Sequence, residues 1–138
     1  MEPVLGIAEV QDFLTREFPQ VADDFTVVSV GAMSAVVRMT PAERHLRPGG
    51  TISGPTLFTL ADCGVYLALI AMVDPEALAV TTNASIDFMR KPEAGQPLLA
   101  DVSILKLGRA LVVGDVRITS ENSDALVARA TLTYSRPR

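Results

Sequence analysis

Asp62 is the only charged residue between Thr56 and Val73, an otherwise apolar run in which Leu60, Ala61, Cys63, Gly64 and Val65 are its immediate neighbours. A carboxylate in a dry interior is costly unless it is protonated, paired or hydrogen-bonded. One reading puts Asp62 at the edge of a helix, capped by a backbone amide or by water. The other puts it on the wall of an apolar pocket, as a general base or nucleophile toward an acyl carbonyl. Residue types alone leave both open.

Other reactive side chains carry weaker signals. Ser53 and His45 invite a hydrolase triad with Asp62, but the local string Gly50-Thr51-Ile52-Ser53-Gly54 lacks the G-x-S-x-G nucleophile elbow. His45, the single histidine, falls in a polar stretch and reads as a solvated loop residue. Cys63 is the single cysteine, so an intramolecular disulfide and a cysteine zinc site are both excluded. Its apolar flanks make it a small buried hydrophobe. No metal or cofactor is called for. Gly49-Gly50 is too short for a phosphate loop. Met33, Met39, Met72 and Met89 sit at apolar positions and read as core filler.

The elements that must position Asp62 follow from period and punctuation. Ser53 is a plausible N-cap and Pro55 suits a first helical turn, so a long helix runs from Gly54 to Val73 and closes at Asp74-Pro75. Ile7, Val10, Phe13, Leu14 and Phe18 have near-helical spacing within residues 1–20, and Pro19 stops that helix. Phe25–Val30 and Ala35–Met39 flank Gly31 as a hairpin, and Pro41–Gly50 reads as a loop. Leu78–Met89, Leu98–Leu107, Leu111–Thr119 and Leu126–Tyr134 are strands with partial period-2 alternation. This is an α+β order with an antiparallel sheet on one helix, and 138 residues fit a single domain spanning 1–138. The long helix is apolar around most of its circumference, so the sheet must curl around it or a second subunit must help cover it.

Composition narrows the partners. A formal charge of −4 and a pI near 4.9 argue against general nucleic-acid binding, which wants a basic face. An anionic ligand would need a local basic cluster; Arg90 with Lys91, and Lys106 with Arg109, are candidates if they meet at a rim. The N-terminus shows neither a basic nor an apolar leader region. A carboxylate at a bilayer centre costs roughly 2.5–3.5 kcal/mol, which makes a buried helix in a cytoplasmic protein, with no membrane partner, the expectation.

The stretch from His45 through Arg47, Gly49-Gly50 and Ser53-Gly54-Pro55 to Leu60-Ala61-Asp62 resembles the signature H-x-N-x-x-G-x-x-H-G-G-x-x-x-x-L-A-D of the PaaI-like (phenylacetate-degradation) branch of hot-dog-fold acyl-CoA thioesterases. Ile86-Asp87-Phe88-Met89-Arg90-Lys91-Pro92, Gly108-Arg109 and Ala128–Tyr134 extend the likeness, which covers about residue 25 to the C-terminus. The resemblance implies a curled antiparallel sheet wrapped around the central helix, and homodimers that can pair into tetramers. It implies an active site at the dimer interface, with Asp62 as base or nucleophile and the Gly54 amide polarising the thioester carbonyl. The substrate it implies is an acyl-CoA, with Thr81 and Thr82 facing the acyl group. The family's Asn falls on Arg47, its His on Ser53 and its second Gly on Pro55, so the roles of that Asn and His do not carry over. Arg47 would bring a charged donor fork instead, and Ser53 a hydroxyl. The departures leave open a non-catalytic acyl-CoA or small-acid binding protein. A hot-dog dehydratase would need a pocket histidine, for which the sole His45 is poorly placed.

Overall fold

A computed structural model describes residues 2–73, 79–93 and 95–137. In chain order the elements are α1 (Ile7–Glu17), β1 (Phe25–Gly31), β2 (Ser34–Met39), α2 (Gly54–Val73), β3 (Val80–Phe88), β4 (Leu98–Leu107), β5 (Leu111–Ser120) and β6 (Leu126–Ser135). The N-terminal helix is shorter than the 1–20 segment read from sequence, and the Asp74-Pro75 stop lies outside the described residues. All pairings are antiparallel, in one curled sheet of order β1-β2-β4-β5-β6-β3. This is the hot-dog architecture that the resemblance implies.

Period-2 patterning decides which face meets α2. Leu98, Ala100, Val102 and Ile104 of β4 point inward, whereas Asp101, Ser103 and Leu105 point out. Two glycines let helix and sheet approach closely. A Cβ at Gly64 would lie 2.9 Å from Val102 Cγ2, and one at Gly114 only 2.8 Å from Val65 Cγ1. Val10, Phe13 and Leu14 of α1 complete the cover, and a backbone bond from Phe18 N–H to Leu14 O closes that helix before Pro19. α2 is long and apolar enough to cross a bilayer, with mean hydropathy 1.9, but 78% of that window is buried inside the fold.

The two sheet edges are treated differently. At β1 the Gln11 side chain donates to Phe25 O (3.1 Å) and accepts from Val27 N–H (2.8 Å), next to a bulge between Val27 and Ser29. A capped, bulged edge resists further pairing. β3 has no such cover among the described residues, and Val80 and Phe88 at its two ends are both more than half exposed.

Two sequence expectations change here. The hairpin turn is Ala32-Met33, with Met33 rather than Gly31 or any other glycine taking the left-handed conformation (φ 57°). Met39 and Met72 are buried, but Met89 is exposed, because β3 has ended at Phe88 before the chain reaches it.

Candidate functional site

Asp62 lies on α2, half-buried, with its Oδ1 facing two hydroxyl donors. Thr81 Oγ1 donates to Oδ1 at 2.6 Å. The Tyr134 hydroxyl lies 2.9 Å from Oδ1 and 2.9 Å from the Asp62 backbone oxygen. Thr81 and Tyr134 are direct cross-strand partners in the β3–β6 ladder, and a bulge between Thr81 and Asn83 adjoins the pair. Bulges of this kind re-aim side chains beside functional sites. Among the described residues, hydroxyls from the sheet rather than a backbone amide face Oδ1 of this carboxylate. Oδ2 has no partner among the described residues.

This carboxylate lines a cavity of about 420 Å³ together with Phe18, Cys63, Tyr66, Thr81 and Tyr134; Glu17 and Gln20 stand at its exposed side. Both tyrosines of the chain are here, their rings stacked at 6.0 Å, and Phe18 meets Tyr66 edge-on at 6.5 Å. Burial, reinforced by the neighbouring Asp62 charge, pushes the Tyr134 phenol far above its ordinary range, so it stays a donor. Burial, then Asp62 and Asp24, push the Cys63 thiol up to about 12. A thiol in that state is an inert hydrophobe, as its sequence context suggested.

Gly54 belongs to a second cavity, of about 410 Å³, at the other end of β3. Arg47, Ile52, Leu57, Phe88, Arg90 and Lys91 share it. Ser53 caps the helix here. Its Oγ accepts the Thr56 N–H (3.3 Å) and pairs with Thr56 Oγ1 (2.7 Å). The loop before it needs Gly49 and Gly50 at φ 98° and 79°, conformations glycine adopts freely. The pair shapes a turn, in which Gly50 N–H donates to Arg47 O. As the first residue of α2, Gly54 presents an N–H with no acceptor among the described residues, at the positive end of the helix dipole. From Gly54 to Asp62 is eight residues, about 12 Å along the axis at 1.5 Å per residue. The two groups do not meet on one small carbonyl within a chain.

The other sequence candidates divide. Thr81 holds Asp62, whereas Thr82, its neighbour on the strand, is exposed and donates to Thr133 O (3.3 Å). Arg47, Arg90 and Lys91 come together around Gly54. Arg90 also donates through Nε to Leu126 O, at the start of β6. Lys106 and Arg109 flank the β4–β5 turn, near Ser135 at the far end of β6. The two basic pairs therefore stand at opposite ends of the sheet and do not meet within one chain.

His45 is not a solvated loop residue. It ends a short 3-10 turn, Glu43–His45, and is 8% exposed. Its Nδ1 accepts the Ala42 N–H (2.8 Å), and Nε2 lies 3.5 Å from Asp24 Oδ2, a carboxylate that Arg44 also engages. Its carbonyl accepts from Ser53 N–H (2.9 Å) and Thr56 Oγ1 (3.3 Å). The His45 carbonyl thus braces the start of α2 while its ring is held by Ala42 and Asp24, and no His45–Ser53–Asp62 triad forms. Tyr134 is the site residue that sequence reasoning missed. The available signal was a phenol on the inward phase of β6, where a buried hydroxyl needs a polar partner.

Known proteins share this fold. The sequence model of the thioesterase superfamily matches residues 49–136. Acyl-coenzyme A thioesterase 13 of Mus musculus is 27% identical over 117 residues, covering 85% of this chain and 83% of that protein. Among solved structures, a candidate thioesterase from Silicibacter sp. TM1040 shares 49% identity at a TM-score of 0.93, over 100% of this chain and 96% of its own. A point mutant of the phenylacetic acid degradation protein PaaI from Thermus thermophilus shares 29% identity at a TM-score of 0.74, over 86% of this chain and 99% of its own. A match across α2 and the whole of β3 to β6, carried by a fold that superposes on solved thioesterase-superfamily relatives including a PaaI protein, makes this chain a member of the thioesterase superfamily.

Proposed function

We propose that this protein hydrolyses an acyl-CoA thioester to the free acid and CoA, with Asp62 as general base. The observation that carries the reading is the Asp62 carboxylate, faced at one oxygen by two hydroxyls and with no partner at the other among the described residues, on the wall of an open cavity. Oδ2 takes a proton from a water, whose oxygen attacks the thioester carbon. The carbonyl pair moves onto oxygen beside the Gly54 N–H, a donor aimed at developing negative charge. Collapse breaks the C–S bond, and the leaving thiolate takes up the proton.

The 12 Å between Asp62 and Gly54, about eight residues of helical rise, is resolved by a second copy. The open edge is β3, with Thr81 and Asp62 at one end and Phe88 and Gly54 at the other. Antiparallel pairing of β3 with a partner's β3 about a two-fold axis brings the Asp62 end of one chain to the Gly54 end of the other. The same operation brings Lys106 and Arg109 of one chain toward Arg90 and Lys91 of its partner, which gives the CoA phosphates a basic rim in an acidic protein. Arg47 in the Gly54 cavity adds a charged donor where the family signature has Asn.

The test is thiol release over a panel of aromatic and aliphatic acyl-CoAs, with Asp62→Asn as control. Asn keeps an oxygen for both hydroxyls, so the thermal midpoint holds while turnover falls at least about 100-fold. Undiminished turnover in Asp62→Asn removes that carboxylate from the chemistry. Calorimetric binding of CoA esters with no thiol released by the wild type replaces the enzyme by a binding protein.

A further inference from the structure

The Tyr134 hydroxyl touches Asp62 at two atoms. A hydroxyl 2.9 Å from both the side-chain Oδ1 and the backbone oxygen of one residue closes a ring through that residue's own χ1 and χ2. Thr81 donates to Oδ1 and its hydroxyl also engages the Tyr134 phenol, but among the described hydrogen bonds only Tyr134 reaches the Asp62 backbone oxygen as well. The phenol is itself held on three sides: by the β6 backbone, by its cross-strand partner Thr81, and by the Tyr66 ring stacked on it. It is 4% exposed.

Resting on the reading of Asp62 as general base, we propose that Tyr134 is a positioning residue for the thioesterase reaction, locking the Asp62 carboxylate in the rotamer that offers Oδ2 to the cavity. A purely structural Tyr134 would only satisfy a buried phenol and support the stack, and its hydroxyl would then matter to stability but not to turnover. The two roles separate in Tyr134→Phe, which keeps the ring and its packing and removes only the oxygen.

The expected result is a fall in kcat of about 10-fold with KM for acyl-CoA within about two-fold, the pattern of an interaction felt mainly in the transition state. Three-bond couplings to the Asp62 β-protons are the second readout: one rotamer in the wild type, averaged values in Tyr134→Phe. Wild-type kcat with unchanged couplings in the variant overturns the proposal, whatever happens to its melting temperature. If the wild type itself releases no thiol, it is the hydrolase reading that falls. The couplings then decide alone, and a single retained Asp62 rotamer in Tyr134→Phe overturns the positioning role.

Discussion

Two inactive variants restore activity to each other if the site is built from two chains. Gly54→Pro removes one N–H and little else. Proline suits the first helical position, where this amide has no intrachain acceptor among the described residues, and a Cβ at Gly54 meets nothing closer than the Phe88 ring at 3.4 Å. Loss of one oxyanion donor lowers kcat by about 10²–10³-fold, and Asp62→Asn does at least as much through the base. In a dimer of one Asp62→Asn chain and one Gly54→Pro chain, one site combines both defects. The other combines the intact Asp62 of the second chain with the intact Gly54 of the first. A 1:1 mixture co-refolded from denaturant forms half its dimers as such hybrids, so it regains about a quarter of wild-type turnover, from a background near zero. The assay is thiol release by the mixture, against each variant refolded alone. If the mixture stays at the background of its components while light scattering shows dimers, the site does not draw Asp62 and Gly54 from different subunits. The two-fold arrangement would then have to be abandoned.

Two further outcomes follow from the charges and burial around the site. Cys63 keeps its proton below about 12 because it is buried next to Asp62, so it ignores Ellman's reagent at mildly alkaline pH until the protein is unfolded, and Cys63→Ala retains turnover. The sign is that of a raised acid. This thiol's contribution to stability is complete below the unfolded thiol's range, near about 8.5, and is lost as the pH rises toward about 12. Replacing Arg90 and Lys91 together by Ala raises KM for acyl-CoA about 10-fold while leaving the same acyl group on a pantetheine thiol unaffected, since only the former carries the nucleotide phosphates. Equal effects on both substrates would take these two residues out of phosphate binding.

Local signals made α2, its Ser53 cap and the four C-terminal strands legible in the sequence, because the helix is one long apolar run and β4 and β5 alternate with period two against it. Asp62 stood out for the same reason: a charge is conspicuous where every neighbour is apolar. What escaped depends on contacts far apart in sequence. His45 is buried because Asp24, from a distant part of the chain, comes round to face its ring, and nothing in a polar Pro/Gly-rich stretch announces that. The basic pairs are similar in composition yet sit at opposite ends of the sheet, a matter of register that the strands' residues do not encode one by one. Thr81 and Thr82 are adjacent and chemically identical, and strand register, fixed by the pairing of Thr81 with Tyr134, decides which of them turns toward Asp62.

The departures at Ser53 and Arg47 bear on chemistry differently once the local geometry is known. At position 53 the chain needs a cap for α2 and an N–H for the His45 carbonyl, and serine supplies both. The donor proposed for the thioester carbonyl is the next amide, a backbone group that no side-chain exchange at 53 removes. Position 47 is another matter, because its side chain lines the same cavity as that amide. A guanidinium there offers a planar fork and a full charge where an amide would offer a neutral NH2 group and an acceptor oxygen. Such a group stabilises an oxyanion strongly, but it equally favours substrates with a carboxylate near the thioester. Arg47→Asn therefore separates the two roles. If Arg47 acts on the carbonyl, kcat shifts for every acyl group alike. If it selects a carboxylate, only carboxylated acyl-CoAs lose kcat/KM while neutral ones hold theirs.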